Sequence, residues 1–238
     1  MPIAVVQTAV NPQTTLSTNW DATFPSPVTP GNVVVVIARL GTNTRTMGAP
    51  TYTGGGGTFS SVVSNNPTLL GGLAMWSKIE DTSGVLVYRI SIGSSLTAVG
   101  VQVALELSGC DSATPTASGT GTQATTTSPR MLDTGLDIAS GGIMVGSIST
   151  QGDLSVGAWT TPSNFISAYQ SVSAPGRSIF FGHSLTAGTA IQGVATVATG
   201  RAVWGLAATW IEAAAAGQPY AKRWGGVPHF GGRSQRRW

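Results

Sequence analysis

Apolar and polar residues alternate with a period of two along much of this chain, the pattern of extended strands with one buried face. In Val99–Leu107, residues Val99, Val101, Val103, Leu105 and Leu107 point one way. Gly100, Gln102, Ala104, Glu106 and Ser108 point the other. Leu86, Tyr88, Ile90 and Ile92 are the expected buried set of a second strand, opposed by Val87, Arg89 and Ser91. Ala202, Trp204, Leu206, Ala208 and Trp210 form one face of a third. Val33–Leu40 is apolar on both faces, which predicts a central strand covered on both sides. Thr, Val and Ile favour pleated backbone. Only Ile211–Ala216 is helix-friendly, and it is too short to be stable alone. The fold class is therefore all-β.

The pattern occurs twice. Pro30-Gly31-Asn32 followed by Val33–Leu40 is echoed by Ser140-Gly141-Gly142 followed by Ile143–Thr150. Thr58-Phe59-Ser60 and then Leu73–Lys78 is echoed by Asn164-Phe165-Ile166 and then Ser178–His183. Gly84–Ser108 is echoed by Gly188–Trp210, with Glu106 and Glu212 near the two closes. The offset is roughly 105 residues, too long for a solenoid or propeller repeat. Two such halves, about 1–110 and 125–212, are expected to pair into one jelly-roll-like antiparallel β-sandwich over 1–212, since a wholly apolar sheet face must be covered by another sheet. Asp111–Pro129, rich in Ser, Thr, Gly and Ala, is expected to connect them as a loop or arm.

Charge divides the chain differently. Only 9% of residues are charged, against about 25% in soluble domains. Such a surface is either polar without charge or covered by neighbours. Arg39, Arg45, Lys78, Arg89, Arg130, Arg177 and Arg201 face nine acidic residues in 1–216, so the body carries 7 − 9 = −2. Residues 217–238 carry Lys222, Arg223, Arg233, Arg236 and Arg237 and no acid, which is +5. The basic character belongs to the end of the chain and describes no groove on the body.

Candidate chemistry is sparse. The histidines are His183 and His229, and Cys110 is the single cysteine, so no disulfide within the chain is possible. A metal site needs at least three suitably spaced ligands, and neither a metal nor a cofactor is expected. Gly182-His183-Ser184 faintly resembles a nucleophile elbow. It lacks the second glycine, and Ser184 falls in a strand rather than a strand-to-helix turn. Asp133 with Asp137, and Glu80 with Asp81, have no feature fixing them across a groove as glycoside hydrolysis needs. Gly54–Gly57 lacks the Lys-Ser/Thr of a phosphate loop and reads as a flexible hairpin loop. Cys110 is expected to be an inert small hydrophobe. No catalytic residue is assigned. Trp76, Trp204 and Trp210 are expected in the core. Trp20 and Trp159, near loops or strand starts, could stack on sugars, so a glycan- or receptor-binding module is the alternative reading. No apolar run approaches the ~20 residues of a membrane helix, and no basic-then-apolar leader is visible at Met1-Pro2-Ile3, so neither a membrane nor export is expected.

The segment 213–238 is read as an extended arm. Gly225-Gly226, Gly231-Gly232, Pro219 and Pro228 exclude regular structure. Yet Tyr220, Trp224, Phe230 and Trp238 are aromatics that a solubilising tail lacks. Together with Lys222, Arg223, Arg233, Arg236 and Arg237 they form a candidate partner-binding arm, its aromatics suited to pockets and its arginines to carboxylates. Alternating arginine and tryptophan also suits single-stranded nucleic acid, which is not the expected partner.

Pro30-Gly31-Asn32-Val33-Val34-Val35, Leu73-Ala74-Met75-Trp76 and Leu105-Glu106-Leu107-Ser108-Gly109-Cys110-Asp111, with the Ser/Thr/Gly stretch after them, resemble the repeated β-sandwich modules of tailed-bacteriophage virion proteins. The resemblance covers about 1–212. It implies a non-enzymatic structural protein of the virion surface, foremost a capsid decoration (cement) protein made in the host cytoplasm. It further implies binding to the major capsid protein and to other copies of the same chain, a trimer being favoured over a dimer.

Overall fold

The computed structural model describes residues 2–41, 47–52, 58–65, 72–92, 98–150, 159–174 and 177–214. Its described elements are all strands, and all their pairings are antiparallel. The first half contributes β1 (Ala4–Ser17), β2 (Asn19–Thr23), β3 (Val33–Leu40), β4 (Thr51–Tyr52), β5 (Ser60–Asn65), β6 (Leu73–Ile79), β7 (Val87–Ser91) and β8 (Ala98–Ser108). The second contributes β9 (Ala117–Thr126), β10 (Leu136–Ile138), β11 (Ile143–Thr150), β12 (Trp159–Thr160), β13 (Ile166–Ala174), β14 (Arg177–Ser184), β15 (Gly188–Ile191), β16 (Thr196–Val197) and β17 (Arg201–Trp210).

Two five-stranded sheets dominate, ordered β1-β8-β3-β6-β5 and β9-β17-β11-β14-β13. The orders correspond strand for strand. Smaller pairings lie outside them: β2-β7-β4 in the first half, β10-β15 and β12-β16 in the second. Three apolar clusters separate the layers. One holds Val34, Val36, Ala38 and Leu40 against Trp20, Phe24, Tyr88 and Ile90 of the small first-half sheet and its flanks. A second joins Val33, Val35, Ile37, Val103 and Leu105 to Ile143, Val145, Phe181, Leu206 and Trp210 across the two large sheets. A third packs Met144, Ile148 and Phe180 on Met131, Trp159 and Val197. Each large sheet is therefore buried on both faces, which is why β3 is apolar at every position except Arg39 and why β3 and β11 are buried throughout.

Several expectations need correction. The stretch 111–129 is not merely a connector, because its residues 117–126 form β9, the edge strand of the second large sheet. The second half therefore begins before residue 125. Leu86, expected buried, is 36% exposed. Gln102 and Glu106, on the polar side of the β8 alternation, are fully buried. The β6 and β14 registers align Leu73 with Ile179 rather than with Ser178, a shift of one residue. Ile211–Ala214 is not helical, and the Gly54–Gly57 loop lies outside the described residues.

Polar contacts sew the halves together. Arg39 donates to Ser149 Oγ through Nε and to Thr150 O through Nη2 at 3.4 Å, and its guanidinium lies 6.0 Å from the Trp204 ring centre. Asn65 Nδ2 donates to Gly121 O at 2.9 Å and to Gly205 O at 3.1 Å. The linker carbonyl of Ala113 accepts from Ser77 Oγ of one half and Trp210 Nε1 of the other.

Candidate functional site

The nine residues of the expected partner-binding arm, Tyr220, Lys222, Arg223, Trp224, Phe230, Arg233, Arg236, Arg237 and Trp238, lie outside the described residues. The place from which the arm departs is described. At the end of β17, Cys110 and Glu212 form a bridge, Asp111 N–H donates to Ile211 O at 3.1 Å, and Ala213 N–H donates to Gly109 O at 2.7 Å. The root is thus hydrogen-bonded to the segment that joins the halves. β17 itself is buried at every position from Val203 to Trp210 and pairs on both sides, with β9 and β11.

The titratable groups of the body divide into distinct local clusters. On β6 and at the residue just past its end, Trp76, Lys78 and Glu80 face one way by period-two geometry. Lys78 Nζ lies 3.2 Å from Glu80 Oε1 and 3.7 Å from the Tyr52 ring centre, and it donates to Tyr52 Oη. Tyr88 Oη donates to Glu80 Oε2 at 2.6 Å. Burial, and then the bond to Glu80, push the Tyr88 phenol far above its ordinary value, so it stays a donor.

Glu106 anchors a turn. It accepts from Thr29 N–H at 2.9 Å, Asn32 Nδ2 at 2.5 Å and Gln7 Nε2 at 2.5 Å. The turn closes with Asn32 N–H on Thr29 O at 3.1 Å and carries Gly31 at φ +92°. Glycine is required there, since the left-handed region crowds a Cβ. The second half repeats the turn, with Gly142 N–H on Ala139 O and Gly141 at φ +76°.

The remaining candidates are dispersed. His183 faces the shared core with Ile179 and Phe181, while Ser184 lies on the opposite face of β14 with Phe180, so the two cannot form a nucleophile–base pair. Burial lowers the His183 pKa. Asp133 accepts from Thr122 N–H at 3.0 Å, and Asp137 from Ala190 N–H at 2.9 Å. Asp21 takes a two-point bond from Arg89 on an exposed sheet face. Cys110 is half-buried, which pushes its thiol up to about 12. Trp20, Trp76, Trp159, Trp204 and Trp210 are all buried, so neither Trp20 nor Trp159 offers an open ring to a sugar. Among the described residues, no group of three His, Cys, Asp or Glu is placed to hold a metal, and no helix is long and apolar enough to cross a membrane.

One concavity adjoins the arm's root. It measures about 420 Å³ and is lined by Thr116, Asp137, Ile138, Thr209, Trp210 and Ile211, among others. Sequence reasoning missed it because it is assembled from the ends of three strands, β10, β15 and β17, and from Thr116 and Ala139 beside them, which are distant in the chain. Comparison with protein-family models, curated proteins and solved structures finds no match to this chain.

Proposed function

We propose that this chain is a non-enzymatic virion structural protein, foremost a phage capsid decoration protein, whose body sits on the shell and whose arm grips an adjacent subunit. The observation that carries the reading is the arm's attachment. A +5 segment rich in aromatics leaves a −2 body at a root hydrogen-bonded to the inter-half linker and continuous with a central, doubly buried strand. Tension on the arm would pass into β17 and then into both halves, as a clamp between subunits requires.

The strand orders add support. β1-β8-β3-β6 over β2-β7-β4 follows the strand order of a jelly roll for seven of its eight strands, with β5 extending the first sheet beside β6 instead of joining β4, and jelly rolls recur in viral capsid domains. On this reading each half is one jelly roll, and the chain is a fused pair. The shell would be stabilised by mass action, because the protein binds the assembled lattice and not free capsid subunits. Copies of the chain would associate around a symmetry axis of the lattice.

The test is co-sedimentation of the full chain with capsids that lack it. Binding should be saturable and raise the temperature at which particles open. Replacing Arg233, Arg236 and Arg237 by Glu should abolish attachment while the body's circular dichroism and melting stay unchanged. Undiminished coating of particles by that variant would refute the arm's role.

A further inference from the structure

Pairing registers give each residue of one half a counterpart in the other. Val33 faces Leu107 and Gln7 faces Glu106 in the first half; Ile143 faces Trp210 and Ala117 faces Thr209 in the second. The two turns align Asn32 with Gly142. In the first half, Gln7, Asn32 and Glu106 fill the space beside the turn with a hydrogen-bonded plug, extended by Ser26, whose N–H donates to Gln7 Oε1. In the second half, their counterparts are Ala117, Gly142 and Thr209. None of these three can form the Gln–Asn–Glu plug; the carboxylate beside this turn is that of the exposed Glu212, against Gly141, and the concavity of about 420 Å³ opens beside the turn. Its volume falls in the roughly 300–1,000 Å³ range of pockets that take small ligands.

We propose that this groove is the docking site of the chain's own residues 217–238 in the free subunit. The arm begins beside it: Ile211 lines the groove and is 41% exposed, and the last described residue is Ala214. From Ala214 to Tyr220 the chain can reach about 20 Å, enough to bring Tyr220 or Trp224 back to the groove. So short a tether holds the arm at an effective concentration near millimolar, far above that of an arm on another dissolved copy. The chemistry matches. The lining offers the exposed side chain of Ile211, over a floor formed by the buried Ile138 and Trp210, to an aromatic ring, and the exposed carboxylate of Asp137 to Lys222 or Arg223. The body's −2 opposes the arm's +5. Docking stows the aromatics until a competing surface draws them out. The inference concerns the dissolved subunit and does not rest on the capsid reading, so its failure leaves the particle-binding test standing.

Limited trypsinolysis of the full chain in dilute solution tests it, read at Lys222 and Arg233. Cleavage of a docked segment tracks the fraction of time it is undocked. Thr189→Trp, at an exposed position lining the groove, should obstruct docking and raise cleavage about tenfold. Trp224→Ser lies in the arm, leaves the body's core untouched, and should do the same from the other side. Native rates should not change with protein concentration. Equal cleavage in the native chain and either variant overturns the proposal, as does protection that appears only as concentration rises.

Discussion

Replacing Lys78 by Met tests whether the buried cluster on β6 is a matched ion pair. Lys78 and Glu80 side chains are 2% and 0% exposed with Nζ and Oε1 3.2 Å apart. At an effective dielectric of about 20, that separation corresponds to an attraction of about 5 kcal/mol. Methionine keeps the apolar stem against Tyr52 and Phe59 but leaves the Glu80 carboxylate buried with only neutral donors, Tyr88 Oη and Thr82 N–H, on its two oxygens. Breaking one side of such a pair costs about 3–5 kcal/mol. Adding Glu80→Gln removes the stranded charge and should restore most of the loss, leaving a deficit of about 1–2 kcal/mol from imperfect hydrogen bonding. Urea unfolding of the native, single and double variants gives the coupling directly. A double variant that loses the sum of its two single losses would refute the argument, since the charges would then act independently.

Four further outcomes follow from the same geometry. Glu106→Ala should cost about 2–4 kcal/mol in urea unfolding, because it strips charge-assisted bonds from Thr29, Asn32 and Gln7 in a buried site; a loss under about 1 kcal/mol would show that the turn holds without its anchor. Burial lowers the His183 pKa below its unfolded value of about 6.5, so below that pH the unfolded chain binds a proton that the folded chain rejects. Stability should therefore fall as pH drops from 6.5, and His183→Gln should flatten that part of the profile. The Cys110 thiol, pushed up to about 12, should react with a disulfide reagent at pH 8 far more slowly in the native protein than in urea, where its ordinary pKa of about 8.5 returns. Ser149→Arg sets a second guanidinium against Arg39 in the seam between the halves and should cost about 3–5 kcal/mol, measured as a fall in the urea midpoint.

The fold class was legible because its signal is long and redundant. β3, β8 and β17 each span eight residues or more, and their alternation or two-sided apolarity survives local exceptions. β9 was not legible. Ala-Ser-Gly-Thr-Gly-Thr-Gln-Ala-Thr-Thr has no apolar face, and its pairing rests on backbone bonds to β17. Its glycines serve close packing: a Cβ at Gly121 would meet Met131 O at 3.0 Å. Of the outer layers only β7 showed its alternation, since β4, β12 and β16 are two residues long and carry no periodicity. The Lys78 cluster did leave a trace, because Trp76, Lys78 and Glu80 share a face while Ile79, between them, is 45% exposed. A face that turns charged while its opposite turns apolar at a strand's end indicates charges buried in a pair. The arm was legible only as composition, and the groove only by comparing halves.

That comparison also explains what two similar halves in one chain can do that two copies of one half cannot. The registers make Ser149 the counterpart of Arg39, so at this seam a position of one half meets the same position of the other. In a symmetric dimer of identical halves an arginine there would face an arginine, and a buried pair of like charges is prohibitive. Within one chain the two sites vary independently, so one carries the guanidinium and the other a small acceptor. The same freedom separates Glu106 from Thr209: one half keeps a carboxylate plug that locks its turn, and the other gives up the plug for a groove beside the arm. Covalent linkage thus turns a self-complementary interface into a directional one, with the groove on the half from whose end residues 215–238 continue.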